Sequence, residues 1–159
     1  PRKRNDLIVV ASLIDRMPNL GGLSRTCEIF NASRLVLPSL SAVSDDTFKA
    51  LSMHAFKWLP MSEVAPALLP AYLFGLREQG YAIIGIEQTA NSVSIEQFEW
   101  PVRSVLVLGA EITGIPQNLY PLLDACIEIP QFGVTRSLNV HVSGALAIWE
   151  YTRQHAVKE

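Results

Sequence analysis

The segment PQFGVTRSLNVHV, Pro130 to Val142, follows a short apolar run, Cys126 to Pro130, that reads as a buried strand. Pro130 ends the run because proline cannot donate to a sheet ladder, and Gly133 lets the chain bend. Leu138, Val142, Ala145, Leu146 and Trp149 then recur at intervals of three and four and predict a helix over Leu138 to Gln154, with Ser137 placed to cap it. Strand, glycine-bearing loop and helix in that order form one α/β unit. The first-turn amides of the helix and the side chain of Asn139 would face any ligand held in the loop.

The same grammar recurs upstream. Leu7 to Leu13, Arg34 to Ser39, Tyr81 to Glu87 and Ser104 to Gly109 are short β-branched or leucine-rich runs closed by Gly, Ser or a polar residue. They show little apolar/polar alternation, the pattern of strands covered on both faces. Between them lie helical candidates at Gly22 to Phe30, Asp45 to Met53, Glu63 to Gln79 (interrupted by Pro66 and Pro70) and Gln117 to Leu123, with Gly80 as a C-terminal stop. The polar segment TANSVSIEQFEWP reads as a loop with at most one helical turn. The expected fold is a doubly wound α/β domain, a mostly parallel sheet with helices on both faces.

The chain has 159 residues, which suits one domain, and 49% hydrophobic with 18% charged residues points to a packed core rather than to disorder. No apolar run approaches the ~20 residues of a membrane span, and the start PRKRND lacks the apolar stretch of a signal peptide, so the expected location is intracellular, cytoplasmic or nuclear. Cys27 and Cys126 stand alone and read as free thiols, and His54, His141 and His155 show no metal-ligand spacing. The proline start suits a domain cut from a longer protein, and equally the loss of an initiator. A net charge of −2 argues against a nucleic-acid binder that works by bulk electrostatics alone. The basic PRKR start is a candidate patch, although such ends are usually solvated tails.

In open parallel sheets, ligands bind beyond the carboxyl ends of the strands. Three loops there are informative. DRMPNLGGLSR offers Asn19, two glycines and Arg25 on the first turn of a helix; the ordinary reading is a cap, a turn and a surface charge. LGAEITGIP offers Gly109, free backbone groups and the Glu111 carboxylate, the latter also explicable by a positive helix end. The third loop is the opening segment. Phosphate-loop and dinucleotide-binding glycine patterns are absent, as is the Gly-x-Ser-x-Gly serine elbow.

NLGGLSR, LVLGAEITGI and IPQFGVTRSLNVHVSGA together resemble the three successive motifs of the SpoU (TrmH-like) class of the SPOUT superfamily, and the match covers nearly the whole chain. Their variants are most similar to the catalytic domain of eukaryotic enzymes that methylate the D-loop guanosine of tRNA. The resemblance implies a C-terminal trefoil knot, a homodimer and methyl transfer from S-adenosylmethionine to an RNA ribose 2′-hydroxyl without a metal. It further implies cofactor contacts from Leu108, Gly109, Glu111, Ile129, Ser137 and Leu138. Arg25, Asn19 and Asn139 would face the ribose and its phosphate. Guanidinium stays protonated with a pKa above ~12, so Arg25 suits a phosphate grip better than a base. The alternatives are a ribosomal RNA target and a catalytically silent knotted RNA-binding module. The acidic balance further implies an RNA-binding region outside this chain.

Overall fold

The computed structural model describes residues 3–156. Seven parallel strands form one sheet: β1 (Leu7–Val10), β2 (Arg34–Leu37), β3 (Met61–Glu63), β4 (Ala82–Ile86), β5 (Val93–Ser94), β6 (Ser104–Val107) and β7 (Ala125–Glu128), in the spatial order β3-β2-β1-β6-β4-β7-β5. Four helices accompany them: α1 (Met17–Ile29), α2 (Asp46–Ser52), α3 (Leu69–Glu78) and α4 (Val140–His155). The five expected strands are present, each trimmed at its end. Two were not expected. Met61–Glu63 has no apolar run because it is a three-residue edge strand, and Val93–Ser94, in the segment read as a loop, pairs with β7 over only two residues.

The unbroken apolar runs have the physical cause that the sequence suggests, because both faces of the sheet are buried. Leu7, Val9, Leu35, Leu106 and Ile127 point to one side, where they meet Leu20 and Leu23 of α1 and Ala147, Ile148 and Tyr151 of α4. Ile8, Val10, Val36, Ile83 and Val105 point to the other, against Leu69, Leu73 and Leu76 of α3 and against Ile115 and Leu119. Each fully buried Leu or Ile contributes about 1.5–3 kcal/mol relative to exposure.

Helix boundaries follow local chemistry. Pro18, tolerated in a first turn, starts α1 five residues earlier than the glycine pattern suggested. Asp45 caps α2 through Phe48 N at 3.0 Å. The expected Glu63 to Gln79 helix resolves into the end of β3, a 3-10 turn at Pro66–Leu68 and α3, which carries Pro70 in its first turn and stops before Gly80 at φ 91°. The Gln117 to Leu123 candidate is a 3-10 stretch over Gln117–Leu122. The cap of α4 is Asn139 rather than Ser137: Asn139 Oδ1 accepts from His141 N at 2.9 Å and Val142 N at 3.2 Å.

The apolar stripe on α4 is real, but it is not the core-facing side. Gly144, Ala147, Ile148 and Tyr151 are buried, whereas Leu138, Val142, Leu146 and Trp149 are exposed. Of the basic start, Pro1 and Arg2 lie outside the described residues. Arg4 is not a free cation, since it pairs with Glu28 at 2.9 Å and donates to the carbonyls of Ala32 and Trp58. Cys27 is a buried thiol whose pKa desolvation pushes well up, and Cys126 is a half-buried one. Among the described residues, no helix is long and apolar enough to cross a membrane.

Strand β6 is inserted between β1 and β4, each of which precedes it in the chain. That insertion sets the switch point of the sheet. The segments leaving β4, β6 and β7 emerge side by side at its carboxyl edge, and α4 returns from there to pack on α1.

Candidate functional site

At that edge lies a cavity of about 280 Å³, close to the lower end of the ~300–1,000 Å³ typical of small-molecule pockets. It is walled by Ile86, Glu87 and Gln88 after β4, by Leu108 to Gly114 after β6, and by Glu128, Ile129, Gln131, Arg136, Ser137, Leu138, Val140 and Ser143 around the start of α4. Six residues singled out in the sequence, Leu108, Gly109, Glu111, Ile129, Ser137 and Leu138, all line it. Gly109 and Ile129 sit just past strands β6 and β7, and Leu138 just ahead of α4. Their backbone N–H groups have no hydrogen-bond partner among the described residues, so they can donate to a ligand.

The glycine at 109 is required by contact. A methyl built there would fall 2.6 to 2.9 Å from backbone atoms of Gly114 and Ile115. The loop it leans on is closed by two hydrogen bonds between Ala110 and Gly114, of 3.0 and 3.1 Å, with Gly114 at φ 72°. Glu87 braces the same loop from the β4 side, its Oε2 accepting from Ile115 N at 2.9 Å.

The first loop adjoins the pocket without lining it. Glu111 joins them: its carboxylate accepts from Asp15 N at 2.9 and 3.3 Å and from Arg16 N at 3.2 Å, just ahead of α1, where a negative charge meets unpaired amides and the positive helix end. A second tie runs from Asn139 Nδ2 to Asn19 Oδ1 at 2.9 Å. Asn19 is only 7% exposed and Asn139 is exposed; the bond between them holds α1 against the start of α4. Arg25 differs. It is exposed on α1 and has no hydrogen-bond or ion-pair partner among the described residues. Arg4, Arg77, Arg103 and Arg153 instead pair with Glu28, Asp124, Asp6 and Glu150.

Sequence reading missed Glu87 and Arg136. The signal for Glu87 was a carboxylate directly after an apolar strand at the carboxyl edge; for Arg136 it was a cation beside Ser137. Trp100, Trp149 and the three histidines lie outside the pocket. Trp100 is buried against Phe98 and Tyr151, and Trp149 meets Phe30 with ring centroids 5.5 Å apart. His54 lies at φ 62° beside Phe56, and His155 contacts the Trp100 carbonyl. His141 is half-buried, and desolvation lowers its pKa. No group of three or more His, Cys, Asp or Glu among the described residues could hold a metal ion.

Comparison with known proteins agrees with this geometry. The model of the SpoU rRNA Methylase family matches residues 6–149. A mouse protein named tRNA (guanosine(18)-2′-O)-methyltransferase TARBP1 is 59% identical over 148 residues, which make up 93% of this chain and 9% of that protein. A Saccharomyces cerevisiae tRNA (guanosine(18)-2′-O)-methyltransferase is 40% identical over 96% of this chain and 11% of its own length. The chain therefore spans about a tenth of these relatives. Among solved structures, the TrmH/SpoU tRNA modifying enzyme of A. aeolicus superposes with a TM-score of 0.83 at 24% identity, covering 96% of this chain and 76% of that one. An AdoMet-bound rRNA methyltransferase from Sinorhizobium meliloti gives 0.80 at 23%, covering 98% and 59%.

Proposed function

This chain belongs to the SpoU rRNA Methylase family, and on that premise we propose that it transfers a methyl group from S-adenosylmethionine to a ribose 2′-hydroxyl of RNA, with the D-loop guanosine at position 18 of tRNA as target. The observation that carries the proposal is the convergence of the segments after β4, β6 and β7 on one pocket lined by all six residues expected to hold the cofactor. Two relatives named for guanosine 18 of tRNA favour that RNA. The family's own description makes ribosomal RNA the second reading.

The residues fit the donor. Ile86, Leu108, Ile129, Leu138 and Val140 supply apolar walls for a nucleobase. The free amides of Gly109, Ile129 and Leu138 supply donors, and Glu87, Glu128 and Arg136 supply charges for an amino-acid moiety. Bound S-adenosylmethionine would supply an electrophilic methyl group on sulfur. The protein's task is then alignment of the ribose oxygen and help with its proton. Arg25 cannot act as a base at any ordinary pH. Its unpartnered planar guanidinium grips the target phosphate bidentately and lowers the cost of charge on the 2′-oxygen. Asn19 and Asn139 keep α1, and so Arg25, in register with the pocket.

Three assemblies belong to this proposal. The chain is the methyltransferase domain of a longer protein, as its share of its relatives suggests. It carries the C-terminal trefoil knot of its class, formed where the segment after β6 threads through a loop. It works as a homodimer, whose contact covers the exposed α4 stripe together with Ile112, Phe132 and Val134, the last two being 97% and 96% exposed. With a sequence pI near 5.9, RNA affinity needs phosphate contacts from outside this chain. The isolated domain is then expected to bind cofactor yet methylate tRNA poorly, and robust methylation by it at physiological salt would contradict that. Titration calorimetry with S-adenosylmethionine tests the site itself: binding is expected, and its absence would favour a catalytically silent RNA-binding module.

A further inference from the structure

His141 stands in the first turn of α4, two residues after the cap Asn139, and its imidazole is laid into α1. A methyl group at Gly22 would fall 2.4 Å from Nδ1 and 2.6 Å from Cε1, so the ring occupies the notch that this glycine leaves. Nε2 lies 2.8 Å from Thr26 Oγ1. The ring thus spans one full turn of α1, from Gly22 to Thr26. Arg25 projects from the same region of the helix, three residues after Gly22 and one before Thr26.

Packing alone does not call for histidine here. α1 and α4 are already joined by Leu23 against Gly144, by the Phe30 and Trp149 rings, and by the Asn19–Asn139 hydrogen bond. A half-buried polar ring is bound to a threonine beside Arg25, the single cation of α1, which has no carboxylate partner among the described residues. We propose that His141 is a positioning residue: by filling the Gly22 notch and holding Thr26, it fixes the surface of α1 from which Arg25 presents its guanidinium to an RNA phosphate. Desolvation lowers the pKa of the ring and so favours its neutral form, in which it supports the arginine without adding a second positive charge beside it.

This inference rests on RNA being the substrate. It is tested with the full-length protein by a double-mutant cycle on affinity for a tRNA transcript at fixed salt. His141→Ala should weaken binding about 5- to 10-fold in the wild-type background and have almost no effect in the Arg25→Ala background. Gly22→Ala should reproduce the loss by evicting the ring. His141→Gln, which returns a hydrogen-bonding terminus near Nε2, should restore part of it. Unchanged affinity for S-adenosylmethionine shows that the pocket is intact. Should His141→Ala not fold, Thr26→Val keeps the shape, removes the hydrogen bond and takes its place in the cycle. Equal losses in the two backgrounds overturn the positioning role and leave the substrate reading standing. A wild-type protein with no measurable tRNA affinity overturns both.

Discussion

Replacing Asn139 with alanine removes three hydrogen bonds at once, two that cap α4 and one that ties it to α1. Loss of the cap costs about 0.5–2 kcal/mol. The Oδ1 of Asn19, in a residue 7% exposed, is left without its donor, which costs a further ~1–3 kcal/mol. Taking the middle of each range, the variant should lose about 3 kcal/mol, a fall in melting temperature of roughly 6–12 °C for a domain of this size. Asn139→Asp is the informative partner. It keeps an acceptor at the cap, its charge suits the positive helix end, and Asn19 can turn its own amide to donate, so most of the loss should be recovered. Thermal melts of the three proteins, run beside methylation assays, separate scaffold from chemistry. If Asn139→Ala melts within a degree of wild type while turnover collapses, then the amide acts on the substrate and the structural reasoning is wrong.

Gly109→Ala places a methyl 2.6 to 2.9 Å from backbone that cannot yield, so it should cost about 1–3 kcal/mol and weaken S-adenosylmethionine binding at least ~10-fold. Gly75→Ala, with open space around it in α3, serves as the control, and equal behaviour of the two in calorimetry would refute the contact argument. Arg25→Lys keeps the charge and loses the planar fork, so it should lose most of its turnover; near-normal methylation would count against a bidentate phosphate grip. Burial lowers the pKa of His141 below its ordinary value, so the unfolded chain binds that proton first as pH falls. Its contribution to stability is complete above about pH 6.5 and declines as pH drops from there toward the lower native pKa. Urea melts of His141→Gln should therefore show a flatter acid limb than wild type, and identical limbs would contradict the assignment.

The layout of the fold could be read because β1, β2, β4 and β6 are buried on both faces and β7 on one, and all five leave continuous apolar runs. Met61–Glu63 and Val93–Ser94 could not, since edge strands of two or three residues carry too little side-chain pattern. In α4 the period was plain but its direction was not. The stripe of Leu138, Val142, Leu146 and Trp149 is as apolar as the buried side, which is made instead of small residues and Tyr151. The loops after β6 and β7, with Gly109, Glu111 and Ser137, were legible from glycine, proline and polar punctuation at strand ends, whereas Leu108, Ile129 and Leu138 were reached only through the family resemblance. The dual use of Glu111 and the mutual hydrogen bond of Asn19 with Asn139 were not, because they join residues 95 to 120 positions apart. The same holds for Gly22, whose reason is a histidine on another helix.

The most direct measurement incubates the full-length protein with a tRNA transcript and S-adenosylmethionine carrying a labelled methyl group, then locates the label by nucleoside analysis. The account predicts one methyl group on the 2′-oxygen of guanosine 18, lost in Arg25→Ala and in Gly109→Ala. Label on a base nitrogen, or none at all from a protein that binds both the donor and the tRNA, would contradict it.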